Sequence, residues 1–205
     1  MARLRQPLRL DWYGESPLGN LLAEGLRRWT SAEIGLVNSG QLLQGLKEGC
    51  ITRGRLLEIC PGPINPCRLR LSGAKLLQAL EESLLGEFME KPIRGFGFRG
   101  EVLGALCVDG MQIEVDSSRA PYHRILTATV AGEPLQVDRE YLVGTIDMFT
   151  FGSGYLTLGQ GTHIEYMLPE FLRDVLASQL QDEDAVASCM ESRYSDRSRI
   201  SRREE

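Results

Sequence analysis

Three prolines within six residues decide the local architecture of this chain. Pro61, Pro63 and Pro66 each lack a backbone donor and fix φ, so neither a helix nor the interior of a central strand can run through them. Regular elements flank them on both sides. Upstream, Thr52 is placed to cap a short helix reaching Ile59, its hydroxyl accepting from an otherwise unpaired N–H of the first turn. Downstream, Cys67, Leu69 and Leu71 alternate with Arg68 and Arg70, the period of a half-buried strand. Ser72 then caps a second helix, whose buried face is Leu76, Leu77, Leu80 and Leu84 and whose pattern extends to about Phe88. A loop pinned between two buried elements is where a scaffold commonly places a ligand.

The remaining elements follow from the same periodicities. Ser16-Pro17 supplies a cap and a first helical position, and Leu18, Leu21, Leu22, Leu26 and Trp29 form one apolar helix face. Ile34, Leu36 and Val37 read as a short buried strand ending at Asn38-Ser39-Gly40, a turn whose backbone N–H groups are placed to face a ligand. The glycine-rich run from Arg94 to Gly104 contains Gly95-Phe96-Gly97-Phe98 but no Gly-Lys-Ser/Thr ending. It therefore reads as a loop with aromatic plugs and not as a phosphate loop. Strands are expected at Met111–Val115 and Ile125–Thr129, and a central one at Tyr141–Ile146, a continuous apolar run. Phe171, Leu172, Val175 and Leu176 mark a final amphipathic helix. The fold class expected is α+β, mixed sheets flanked by helices. Residues 1–14 read as a lead-in, 15–187 as one domain, and 188–205 as a charged tail too polar to bury a core.

Composition narrows the function. A net charge of −5 argues against a general nucleic-acid surface, which needs a basic face. Five cysteines with no Cys-x-x-Cys spacing argue against a disulfide framework and for a reducing, cytoplasmic setting. The first residues, MARLRQPLRLDWYGES, carry positive charge without the apolar core of a secretory signal, and no apolar run reaches membrane-span length.

The ordered segments ESPLGNLLAEGL, VNSG, ITRGRLLEICPGPINPCRLRLSGAKLLQALEESL and TIDMFTFGSGY together resemble the C-terminal domain of the 5'-nucleotidase family, from roughly Trp12 to Leu158. No one of these motifs is diagnostic; their order and spacing carry the resemblance. It implies the substrate-recognition half of a metallophosphatase, whose two-metal hydrolytic centre lies in a separate N-terminal domain. No cofactor is expected in this chain, divalent metals belonging to that catalytic domain. The partners implied are a nucleotide or nucleoside-like small molecule and a metallophosphoesterase domain or subunit.

The resemblance also proposes site residues. In the family a base is sandwiched between two phenylalanines while arginines and an asparagine grip the phosphate and ribose side. Asn38, Ser39 and Gly40 fall on the family's N-G-G turn, but its arginine is Leu43. A second family arginine is Gly14, the loop phenylalanine is Gly62, and the aspartate of the G-G-D-G segment is Ser153. What remains as the candidate substrate site is Asn38, Ser39, Gly40, Asp147, Phe149, Phe151, Gly152 and Tyr155. Phe149 and Phe151 are readable either as a stacking wall or as core packing on a shared face, and Asp147 either as a ribose acceptor or as a turn residue. His123 and His163, the only histidines, have no His or Asp at ligand spacing, so no catalytic residue and no metal ligand is assigned. Cys60 reads as a buried structural thiol. Two functions follow: a nucleotide-recognition domain that does not hydrolyse alone, or an interaction protein with a decayed cleft that docks on a separate catalytic subunit.

Overall fold

The computed structural model describes residues 2–95 and 97–198. In chain order the elements are β1 (Ala2–Leu4), α1 (Pro17–Trp29), β2 (Ile34–Asn38), β3 (Gly49–Ile51), α2 (Arg53–Ile59), β4 (Pro66–Ser72), α3 (Gly73–Glu82), α4 (Gly86–Met89) and β5 (Leu106–Asp109). They continue as β6 (Met111–Val115), β7 (Ile125–Val130), β8 (Glu133–Pro134), β9 (Glu140–Ile146), α5 (Asp147–Thr150), β10 (Thr162–Tyr166), α6 (Leu172–Gln179), α7 (Glu183–Ser188) and β11 (Tyr194–Asp196). The architecture is α+β. A five-stranded mixed sheet has the order β10-β4-β9-β2-β5, a four-stranded sheet the order β11-β6-β7-β8, and β1 pairs with β3.

The proline cluster works as its chemistry requires. α2 ends at Ile59, and β4 begins on Pro66, whose missing donor is harmless at a strand's first residue. Thr52 Oγ1 accepts from Arg55 N at 3.1 Å and Ser72 Oγ from Lys75 N at 3.4 Å. Cys67, Leu69 and Leu71 are buried. The continuous apolar run at 141–146 is the middle strand, β9, held between β4 and β2. α1 lies across this sheet so closely that a Cβ on Gly35 would fall 2.0 Å from the Ala23 carbonyl oxygen.

Four expectations change. The helix from Ser72 stops at Glu82 rather than near Phe88: Ser83 Oγ turns back to the Leu80 carbonyl (2.7 Å), and Leu85 is extended before the short α4. Ser16 stands at the cap position of α1, but its side chain makes no cap bond. The lead-in is packed: β1 pairs with β3, Leu8 bridges Leu46, and Trp12 Nε1 donates to Leu42 O at 2.8 Å.

The fourth change concerns the tail. Up to residue 198 it belongs to the folded unit. β11 joins β6 in parallel, and Cys189 and Arg193 are buried. Composition hid this because the segment is held by charge. Arg193 donates to Asp109 Oδ1 (3.0 Å) and to the carbonyls of Ser188 and Glu191 (2.6 Å each), while Glu15 accepts from Arg193 N and Ser192 Oγ. Residues 199–205 lie outside the described residues.

Candidate functional site

The sheet topology gathers the candidate residues at one end. β2 and β9 are parallel, so Asn38 and Asp147 leave the sheet on the same side. β4 runs antiparallel to β9, with Pro66 opposite Ile146, which brings the proline loop there as well. β5 runs antiparallel to β2, with Leu106 opposite Asn38, and adds the end of the glycine-rich segment.

The Asn38-Ser39-Gly40 turn is buried, and its donors are engaged. Asn38 Nδ2 donates to Leu103 O (2.6 Å), Ser39 N to Ala105 O (2.9 Å), Gly40 N to Leu103 O (3.2 Å), and Ser39 Oγ to Trp12 O (2.8 Å). The N–H groups expected to face a ligand therefore clamp the 102–105 segment instead. Gly40 is required by closeness: a Cβ there would sit 2.1 Å from Val102 O. Gln41 Nε2 bridges Asn38 Oδ1 (3.0 Å) and Met148 Sδ (3.6 Å), tying this turn to the one that follows β9.

The two phenylalanines part company. A continuing strand would put them on one face at i and i+2, but Asp147–Thr150 forms a helical turn, which puts such positions roughly 200° apart. Phe149 is fully buried, edge-on to Tyr155 at 6.2 Å, and the Tyr155 hydroxyl donates to Gly104 O at 2.7 Å. Both are core. Phe151 is 53% exposed and stacks on Tyr166, 41% exposed, with centroids 6.3 Å apart and planes 17° from parallel. Sequence reasoning missed Tyr166; its signal was the alternation of Ile164 and Tyr166 in what proves to be the exposed edge strand β10.

Thr150 Oγ1 joins the Tyr166 hydroxyl (3.0 Å) and the Asp147 carbonyl (2.8 Å), fixing the aromatic pair to the strand end. Asp147 is partly buried, and its Oδ1 has no hydrogen-bond partner among the described residues. Burial raises its pKa above the ordinary carboxylate value, against backbone hydrogen bonds from Asn65 and Met148 that lower it. Gly152 turns the chain at φ +74°, and Gly154 at φ +78° lies against the Phe149 ring. At Gly62, where the family pattern has an aromatic ring, a Cβ would meet Ile64 and the Gly97 carbonyl. Phe98 plugs the glycine-rich loop as a buried ring; Phe96 lies outside the described residues.

Among the described residues no group of three or more His, Cys, Asp or Glu side chains is gathered as for a metal ion. His163 is in the edge strand and His123 precedes β7 in the other sheet. The donor set thus does not fit the family's divalent-metal centre. Burial pushes the thiols of Cys60 and Cys67 up to about 12, so neither is an available thiolate near neutrality. No helix among the described residues is long and apolar enough to cross a membrane.

Comparison with known proteins gives the family. The chain is 37% identical over 180 residues to the uncharacterized metallophosphoesterase YunD of Bacillus subtilis (strain 168), a match covering 88% of this chain and 39% of that protein. The chain thus spans well under half the length of this relative. In fold it is similar to a 5'-nucleotidase precursor from Thermus thermophilus, with TM-score 0.71, 24% identity and coverage of 89% of this chain and 36% of that one. It is also similar to the NAD nucleotidase NadN of Haemophilus influenzae, with TM-score 0.66, 15% identity and coverage of 95% and 35%. Residues 2–159 match the family model described as "5'-nucleotidase, C-terminal domain", and the chain belongs to that family.

Proposed function

We propose that this chain is the nucleotide- or phosphoester-recognition domain of a 5'-nucleotidase-type metallophosphatase acting in nucleotide catabolism, and that hydrolysis is carried out by a metallophosphoesterase domain or subunit outside it. One observation carries the reading: a half-exposed pair of parallel aromatic rings, Phe151 and Tyr166, is tied through Thr150 to the strand end at Asp147, whose buried Oδ1 has no hydrogen-bond partner among the described residues, at the end of the sheet where the family's turns converge. A flat ring system suits the aromatic faces, and a hydroxyl or N–H suits the acceptor. The free state of all five cysteines supports a reducing, cytoplasmic setting. The acidic net charge supports a small-molecule ligand over nucleic acid.

The test is calorimetric titration of the full chain with adenosine and AMP. Binding is expected, and Phe151→Ala should weaken it by about 5- to 150-fold, since stacking contributes roughly 1–3 kcal/mol per base. Absence of binding, or equal binding by the variant, overturns the assignment.

A second reading has its own support. The Asn38 amide is spent on the protein, and Leu43 occupies the place of a phosphate-gripping arginine. On that reading the cleft has decayed and the domain docks on a separately encoded catalytic subunit. A purified metallophosphoesterase domain that binds this chain, while nucleosides do not, would select it.

A further inference from the structure

Away from the candidate site, a cleft of about 860 Å³ between α3 and the small sheet is lined by residues that include Leu77, Gln78, Glu81, Tyr122, Ile125 and Leu135. Glu81 is buried, with 7% relative exposure. Its side chain crosses from α3 to the start of β7, where Oε1 accepts from Ile125 N at 2.8 Å. Its other oxygen, Oε2, is buried and has no hydrogen-bond partner among the described residues.

The neighbours do not answer that oxygen. Gln78, one turn earlier on the same helix, donates to Glu82 Oε1 at 3.1 Å, and Thr157 Oγ1 donates to the same atom at 2.6 Å. Arg119, at the cleft wall, is drawn to Asp116 at 3.6 Å, and Arg124 donates to the carbonyls of Leu84 and Arg119. Glu81 therefore brings an unanswered carboxylate oxygen to the wall of a largely apolar cleft, beside His123 and with Arg119 turned to Asp116. A buried carboxylate oxygen is costly until a donor reaches it, and the interaction is strongest when that donor is charged. Apolar walls with one convergent polar group describe a small-molecule site. The half-exposed Tyr122 ring at the rim suits a cation's passage.

The geometry points to a second binding site, between α3 and β7, for a small organic cation: a primary ammonium on an apolar body, the ammonium donating to Glu81 Oε2 and the body lying against Leu77, Ile125 and Leu135. This site shares no residue with the nucleotide platform, so its success or failure is independent of the proposed function.

The probe is benzylamine, titrated into the isotope-labelled full chain and followed by amide chemical shifts. Shifts are expected in residues 77–82 and 125–129, with Glu81→Gln binding about tenfold more weakly or worse. Leu77→Trp, from a half-buried position on the cleft wall, should block the site while leaving the fold intact. On the wild-type chain, benzyltrimethylammonium has the same charge but no N–H and should bind about tenfold more weakly. If Glu81→Gln does not fold, Leu77→Trp and the quaternary probe decide. Shifts located elsewhere, no shifts at all, or equal binding of the two amines would overturn the assignment.

Discussion

Removing Asp109 is the sharpest test of how the C-terminal segment is held. Asp109 sits at the end of β5 and receives two arginines: Arg27 Nε at 2.5 Å and Arg193 Nη2 at 3.0 Å. The side chains of Asp109 and Arg193 are 8% and 7% exposed, whereas that of Arg27 is 35% exposed. Asp109→Ala therefore leaves one guanidinium able to turn to water and one trapped without its carboxylate. Breaking a buried pair costs about 3–5 kcal/mol. The low end applies here, because Arg193 keeps the carbonyls of Ser188 and Glu191 and lies 3.9 Å from Glu24. The expected loss is about 3 kcal/mol in urea unfolding with an unchanged m-value, or a fall in Tm of roughly 6–12 °C for a domain of this size. Arg193→Met should cost less, since Asp109 retains Arg27. The double variant should be more stable than the sum of the two losses by about 2 kcal/mol, because it leaves no stranded charge. A loss below about 1 kcal/mol in Asp109→Ala, or additivity within about 0.5 kcal/mol in the double variant, would refute the argument.

Three other outcomes follow from the same geometry. Gly40→Ala should destabilise by about 1–3 kcal/mol or prevent folding, as its Cβ would meet the Val102 carbonyl at 2.1 Å; unfolding curves matching the wild type would contradict the close approach. At pH 8 in native buffer, a thiol-specific chromogenic reagent should titrate exposed Cys50 rapidly and leave the four buried cysteines untouched, with all five reacting in guanidinium; fast native reaction of more than one would show the burial to be wrong. Burial raises the thiols of Cys60, Cys67 and Cys107 from 9.0 to about 12, so their contribution to stability is fully present below pH 9 and is lost as pH rises toward 12. Replacing Cys107 by Ala should flatten that alkaline decline of unfolding free energy, and an unchanged slope would count against it.

What could be read before folding, and what could not, divides along range of interaction. The proline loop, the alternation in β4 and the caps Thr52 and Ser72 are settled by neighbours within four residues. The status of β9 as the central strand was legible because a strand buried on both faces has no polar alternation. By contrast, the burial of 189–198 depends on Glu15 and Asp109, distant in sequence, and a segment rich in charge and hydroxyl looks solvated until its partners are known. The split between Phe149 and Phe151 turned on whether four residues after β9 continue as strand or close one helical turn, which is below the resolution of periodicity. Tyr166 escaped because edge strands expose apolar residues that pattern reading assigns to neither core nor site.

The engaged state of the Asn38 turn changes where recognition must lie. A turn that gives its side-chain amide and two backbone N–H groups to the 102–105 segment cannot also present them to a phosphate without breaking three bonds. Each such bond contributes about 0.5–1.5 kcal/mol net, and a donor left buried without a partner costs more. A ligand would have to supply all of that before gaining any affinity. The outer faces of Phe151 and Tyr166 require no such exchange of buried backbone bonds, since the rings are already half exposed. On the proposed function, the energetic burden of recognition falls on the β9–β10 side of the sheet end. The Asn38 turn acts behind it as a brace, with Gln41 and Met148 transmitting its position to the aromatic pair. On this division, Asn38→Ala should cost stability and reach ligand affinity only through the placement of α5, whereas Phe151→Ala should cost affinity and lower stability by only about 0.5–1.5 kcal/mol through the lost stack on Tyr166.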